Sequence, residues 1–272
     1  MKENKKIIFV VIIVCLLIGG VAIFQGVVGN REEDVTVSSD GVTIPKMKVS
    51  YPEMEGGEYA ASMAPFFIYD NRSYRGYDSC EKDLADKYLG TSKGGIDEWT
   101  SKDKYVNFTG SSEGKIYSVK GYDPRFMLCM KEEEGTQIYI NDNDLTLKKG
   151  SELYEDRLKL SGNYEKVQYE IPASGMNEKR KIRTLSSEAD NVIKSFVNEL
   201  NEAAFIRTKD VPMDSGKADD YPTPIYYMYF RMKDGVSINL FLHKGGYVTF
   251  PGVYLASVKV DDKVFEELLT FL

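Results

Sequence analysis

The chain has 272 residues, 28% of them charged, and a formal net charge of −7. That length accommodates one or two domains, and the acidic balance argues against nucleic acid as a partner. No P-loop and no G-x-G-x-x-G pattern is present, so nucleotide chemistry is unsupported as well.

Residues 1–6, MKENKK, form a basic tail of net charge +2, which leaves −9 on the rest of the chain. From Ile7 to Val28 run 22 residues in which Gln25 is the only strongly polar one. At about 1.5 Å rise per residue a helix of this length spans about 33 Å, enough for the hydrocarbon core. Lysines before the run keep the tail cytoplasmic and put the body outside the cell membrane. A cleaved signal peptide and a lipid-attached Cys15 are the competing readings. The run exceeds the apolar stretch of a signal peptide, and Val14 stands where a lipid-attachment site needs a small residue, which favours a retained single-pass signal anchor. On such a helix Cys15, Gly19, Ala22, Gly26 and Gly29 share one stripe. Small residues let helix backbones approach in lipid, so this stripe is expected to support a homodimer or a membrane partner.

Residues 29–55 read as a tether, with charge, Ser, Gly and two prolines and little periodicity. Residues 56–180 read as a small, mostly β domain, barrel-like or sandwich-like. PFFIYDNRSYRGY gives two strands around an Asp-Asn turn. DSCEKDLADKYLG is expected to be a short helix, capped by Asp78 with Glu81 three residues on, and ended by Gly90. GKIYSVKGY, RFMLCMKE and TQIYIND then read as strands. Cys80 and Cys129 lie in this domain. A bridge between them would close a loop of about 50 residues and contribute up to ~4 kcal/mol; the alternative is two buried thiols, and spacing alone does not choose.

Residues 181–272 read as an α+β domain of order α-β-β-β-β-α, with helices against an antiparallel sheet. Ala189, Val192, Ile193, Phe196, Val197 and Leu200 recur at helical spacing, with Ser187 and Asp190 as a capping signal. PIYYMYFRMK and VSINLFLH are strands around Asp234-Gly235, taken as a two-residue turn that pairs Lys233 with Val236. GGYVTF and VYLASVKV continue the meander, and DDKVFEELLTF closes with a helix. That pairing puts Tyr226, Met228 and Phe230 beside Asn239, Phe241 and His243 on the face away from the helices. A solvent-facing sheet should be polar there. This set is half apolar and aromatic, so it is expected to be covered, by another domain or as a binding surface.

Catalytic, metal and cofactor chemistry is not called for. His243 is the only histidine, and no nucleophile motif accompanies it. One histidine and separated cysteines do not make zinc-ligand spacing. NDND at 141–144 fails the EF-hand register and reads as an Asx turn. The 19 tyrosines would suit a sugar-stacking platform, although strands favour tyrosine anyway.

IYSVKGYDPRFMLCM and NLFLHKGGYVTFPGV resemble segments of single-pass membrane-anchored extracytoplasmic proteins of Gram-positive bacteria. That family carries no known activity, so the resemblance implies a location and transfers no functional residue. The expectation is an anchored extracytoplasmic interaction or sensing protein without catalytic activity. The alternative is a cell-envelope hydrolase working through acidic residues. The six-residue tail is too short for a signalling domain, so a signal would pass through a membrane partner.

Overall fold

The computed structural model describes residues 34–46, 65–96, 104–133, 135–172, 181–212 and 222–272. The expected tail and transmembrane helix, with its stripe at Cys15, Gly19, Ala22 and Gly26, lie outside the described residues. No helix among the described residues is long and apolar enough to cross a membrane.

The protein is mixed α+β, with mostly antiparallel sheets and few helices. It divides into two compact units at places the sequence reading did not choose. Among the described residues one unit holds Asp34 and Pro45–Asp144; the other joins Val35–Ile44 to Leu145–Leu272. Residues 35–44, expected within the tether, form β1 (Thr36–Ser38) and β2 (Gly41–Ile44) of the second unit. Residues 145–180, expected in the first domain, also belong to the second. In chain order Pro45–Asp144 is therefore inserted between the two segments of the second unit.

The inserted unit holds β3 (Phe66–Tyr69), β4 (Arg72–Cys80), β5 (Ala85–Lys93), β6 (Glu113–Val119), β7 (Met127–Lys131) and β8 (Thr136–Asn141), in the sheet order β3-β4-β8-β7-β6-β5. Asp70 and Asn71 make the tight turn of the first hairpin with φ of 50° and 56°, and Tyr69 lies opposite Arg72. Positive φ at both turn residues matches the right-handed twist of the strands, and Asp and Asn tolerate it best after Gly. The segment after Val106 closes the sheet. Ile68 N donates to Thr109 O at 2.8 Å and Phe108 N to Ile68 O at 2.8 Å, while Lys93 N donates to Phe108 O at 2.9 Å. The result is a small barrel. Phe67, Tyr74, Ile116, Leu128, Met130 and Tyr139 form one core cluster, with Tyr69, Leu89 and Phe108 packed against it. Every strand and the closing segment contribute, as a closed sheet requires.

The helix expected over DSCEKDLADKYLG is a correction: these residues end β4, turn, and begin β5. Asp83 Oδ1 accepts from Ala85 N at 3.1 Å, so the local side-chain bond starts a strand. Pairing with β6 satisfies this backbone in the sheet, where a short helix with so narrow an apolar stripe would bury little.

In the second unit β9 (Leu145–Leu147) pairs with β2, with Ile44 opposite Leu145. After α1 (Ser151–Tyr154) come β10 (Tyr164–Glu170), β11 (Arg183–Thr184) and α2 (Asp190–Glu202). The meander follows: β12 (Phe205–Arg207), β13 (Tyr226–Met232), β14 (Ser237–His243), β15 (Tyr247–Thr249) and β16 (Ala256–Lys259), then α3 (Asp262–Leu269). The seven-stranded sheet has the order β11-β10-β13-β14-β15-β16-β12. The expected α-β-β-β-β-α core is present with three additional strands, β12 inside it and β10 and β11 before it. The capping bond expected from Ser187 is not made, because a one-turn 3-10 helix, Ser187–Ala189, precedes α2. Asp261 does cap α3, accepting from Lys263 N and Val264 N.

The helices cover one face of this sheet. Tyr154 of α1 stacks on Phe205 at 6.2 Å between centroids, and Phe205 lies opposite Val258. Tyr164, which feels the charge of Asp190 at the start of α2, meets Phe230 edge-on at 5.3 Å. Met228, Phe230, Ile238, Leu240, Leu242, Val248 and Val258 are fully buried on this face.

Candidate functional site

The β13–β14 hairpin fixes what the opposite face presents. Its turn holds three residues: Met232 N donates to Val236 O at 2.8 Å, and Gly235 N to Met232 O at 2.9 Å. Gly235 has φ +107°, and Asp234 Oδ1 accepts from Val236 N at 2.9 Å. This is a type I turn completed by a glycine bulge. Tyr226 therefore faces Leu242, Tyr229 faces Asn239, and Arg231 faces Ser237. The expected pairing was one residue off, and a one-residue slip turns a whole strand over.

The predicted binding set is corrected accordingly. Tyr226, Met228 and Phe230 lie on the helix-covered face, and the last two are core residues at 0% exposure. Asn239, Phe241 and His243 do lie on the face away from the helices. Their cross-strand neighbours there are Tyr227, Tyr229 and Arg231 from β13, with Lys166, Gln168 and Glu170 from β10. The sequence held a signal for this. The expected pairing would have placed Arg231 on the core side among Ile238 and Leu240, where a charge without a partner is costly.

The face is closed at one end. His243 Nε2 and Thr249 Oγ1 are 3.0 Å apart, Thr249 Oγ1 and Ser257 Oγ 2.7 Å, and Ser257 Oγ and Thr208 Oγ1 2.8 Å. All four residues are buried. Burial pushes the imidazole down to about 4, although the Thr223 main chain favours its charged form. A neutral ring sealed into a hydroxyl chain holds β14, β15, β16 and the turn after β12 together.

Next to this chain the face is aromatic, with Phe241 directly opposite Thr249. Tyr227 and Phe241 meet edge-on at 5.0 Å, and Tyr227, Tyr229 and Phe241 are each half-buried. Beneath them lies a polar floor. Glu170, 1% exposed, accepts from the Tyr229 hydroxyl at 2.9 Å, and Ser237 bonds Asn239 Oδ1 at 2.9 Å. Arg231 Nε donates to Gln168 Oε1 at 2.9 Å, and its guanidinium lies 5.5 Å from the Tyr229 ring centre.

Two other sequence-level sites resolve in the inserted unit. Cys80 and Cys129 form no disulfide; both are buried thiols. β8 runs between their strands, with Thr136 opposite Cys80 and Ile138 opposite Cys129. Two strand spacings of about 4.8 Å exceed the reach of a disulfide. Burial raises the Cys129 thiol to about 12, so it stays protonated. In the NDND turn, Asp142 pairs with Arg75 at 3.0 Å and Asp144 with Arg72 at 3.1 Å. Burial raises the Asp142 carboxyl against the pull of Arg75. The turn works as a buried knot: Asn141 Nδ2 donates to Asn143 O at 2.9 Å, and Asn143 N donates to Asn141 Oδ1 at 3.2 Å.

No known protein family, curated protein or solved structure matches this chain.

Proposed function

We propose that the protein is a membrane-anchored extracytoplasmic binding module that recognises its ligand without catalysis, through the β10–β13–β14 face of its second unit. The observation that carries this reading is the composition of that face. Three half-buried aromatic rings stand over a hydrogen-bonded polar floor, whereas a sheet face that only meets water is lined with exposed polar residues. Aromatic bodies with a few convergent polar groups are the usual make-up of a recognition site. His243 supports binding over catalysis, since it is neutral and committed to Thr249. The anchor rests on the apolar run 7–28 and the lysines before it, with the amino terminus cytoplasmic.

The test is a pull-down of the full chain from detergent-solubilised membranes, read by mass spectrometry, beside the Tyr227→Ala/Phe241→Ala double variant. The expected result is material retained by the wild type and lost by the variant at unchanged thermal stability. Retention by both, or turnover of a wall-derived substrate by the purified chain, would sink the reading.

A further inference from the structure

We infer that the corner of this face formed by Arg231, Lys166, Gln168 and Tyr229 is a carboxylate receptor, and that the ligand of the face is an acidic glycan. The inference rests on the binding-face reading above and names its chemistry. Lys166 and Arg231 are direct cross-strand partners on β10 and β13. Like charges placed opposite one another destabilise a sheet. Among the described residues no carboxylate pairs with either of them. Arg231 spends Nε on Gln168 and holds its guanidinium 5.5 Å from the Tyr229 ring centre, which leaves its two terminal nitrogens as the fork for a ligand. Such a fork matches the two oxygens of a carboxylate. Among the described residues, this adjacent pair of cations has no carboxylate partner in a body carrying −9. Screening over about 8–10 Å lets that local charge govern contact.

The neighbouring side chains select among anions. Arg231 and Tyr229 sit on β13 between β10 and β14, so these two positions offer no open strand edge to which an extended peptide could add main-chain bonds. The acidic body disfavours an anionic lipid surface. A sugar ring has what the face can use: flat C–H faces for the half-buried rings of Tyr227, Tyr229 and Phe241.

The experiment titrates the full chain in neutral detergent with a hexamer of galacturonic acid. Comparison arms are cellohexaose, hexaglutamate and phosphatidylglycerol vesicles. The uronide is expected to bind at least about tenfold tighter than cellohexaose, and more weakly as salt rises. Arg231→Gln should cost about tenfold for the uronide, Lys166→Gln about threefold, and Arg231→Lys should stay about fivefold weak because it keeps the charge and loses the fork. Thermal melts confirm that each variant is folded. Equal affinity for acidic and neutral hexamers overturns the receptor and leaves the binding face standing. Preference for hexaglutamate or vesicles overturns the glycan assignment. Binding to none of the four also overturns the inference, while the pull-down with Tyr227→Ala/Phe241→Ala decides the binding face separately.

Discussion

His243 gives the clearest reading at the level of single residues. Burial holds its pKa at about 4, below the ordinary value of 6.5. A base depressed in the folded state binds more protons when unfolded. The stability it contributes is complete above about pH 6.5 and falls as pH drops towards 4. Between about pH 7 and about pH 4.5 the loss is expected to be about 2 kcal/mol. Urea unfolding at the two pH values checks this, with His243→Gln as the comparison; the variant should lose less on acidification. The raised carboxyl of Asp142 works in the opposite sense, and it is common to both chains, so it cancels in the comparison. The cysteines make a second test. With β8 between them and Cys129 held protonated, alkylation of both thiols should require unfolding, and reducing agent should leave the urea midpoint unchanged. A midpoint that drops on reduction would mean a bridge.

At the level of elements, the three-residue turn Lys233-Asp234-Gly235 decides which side chains the candidate face shows. Gly235 sits at φ +107°, where a β-branched side chain is strained. Gly235→Val should cost about 1–3 kcal/mol in urea unfolding, and Gly235→Asn less. If the valine variant were as stable as the wild type, the turn would not be setting the register. This turn also marks the limit of what the sequence disclosed. Strands and their alternation were legible wherever β-branched and aromatic residues ran between turn residues, as in β4, β6, β7, β8, β13 and β14. The Asp-Gly signal located the hairpin and left its loop length open by one residue. That residue moved Met228 and Phe230 into the core and brought Tyr227, Tyr229 and Arg231 to the candidate face. Requiring Arg231 to avoid the core would have chosen the right register. The false helix over 78–90 failed for another reason: capping residues are short-range signals, and long-range pairing with β6 overrode them.

At the level of the whole molecule, local patterns could not reveal that Val35–Ile44 and Leu145–Leu272 are one unit, because their contacts skip a hundred residues of chain. The junction itself is simple. The chain leaves the second unit along β2 and returns along β9, and Ile44 and Leu145 are direct antiparallel partners. At the inserted side Asp144 N donates to Pro45 O at 3.0 Å, so the two crossing segments stay hydrogen-bonded as they enter. Ends held this close are what make domain insertion tolerable, since neither partner must be distorted to admit the other. Beyond β9 the pairing continues: Phe205 N donates to Lys148 O at 3.2 Å and Gly150 N to Ala203 O at 2.8 Å, which ties β9 to the strand that borders the large sheet. The second unit thus closes its own hydrogen bonds across the junction. Replacing Pro45–Asp144 by Asn-Gly would convert β2 and β9 into a two-residue hairpin in their present register. The shortened chain is expected to unfold cooperatively in urea and to keep near-ultraviolet dichroism from the packed rings around Phe205 and Phe230. It should also retain the wild-type response of the second unit to His243→Gln. A chain that binds hydrophobic dye and melts without a transition would mean that the second unit depends on the insertion for its core.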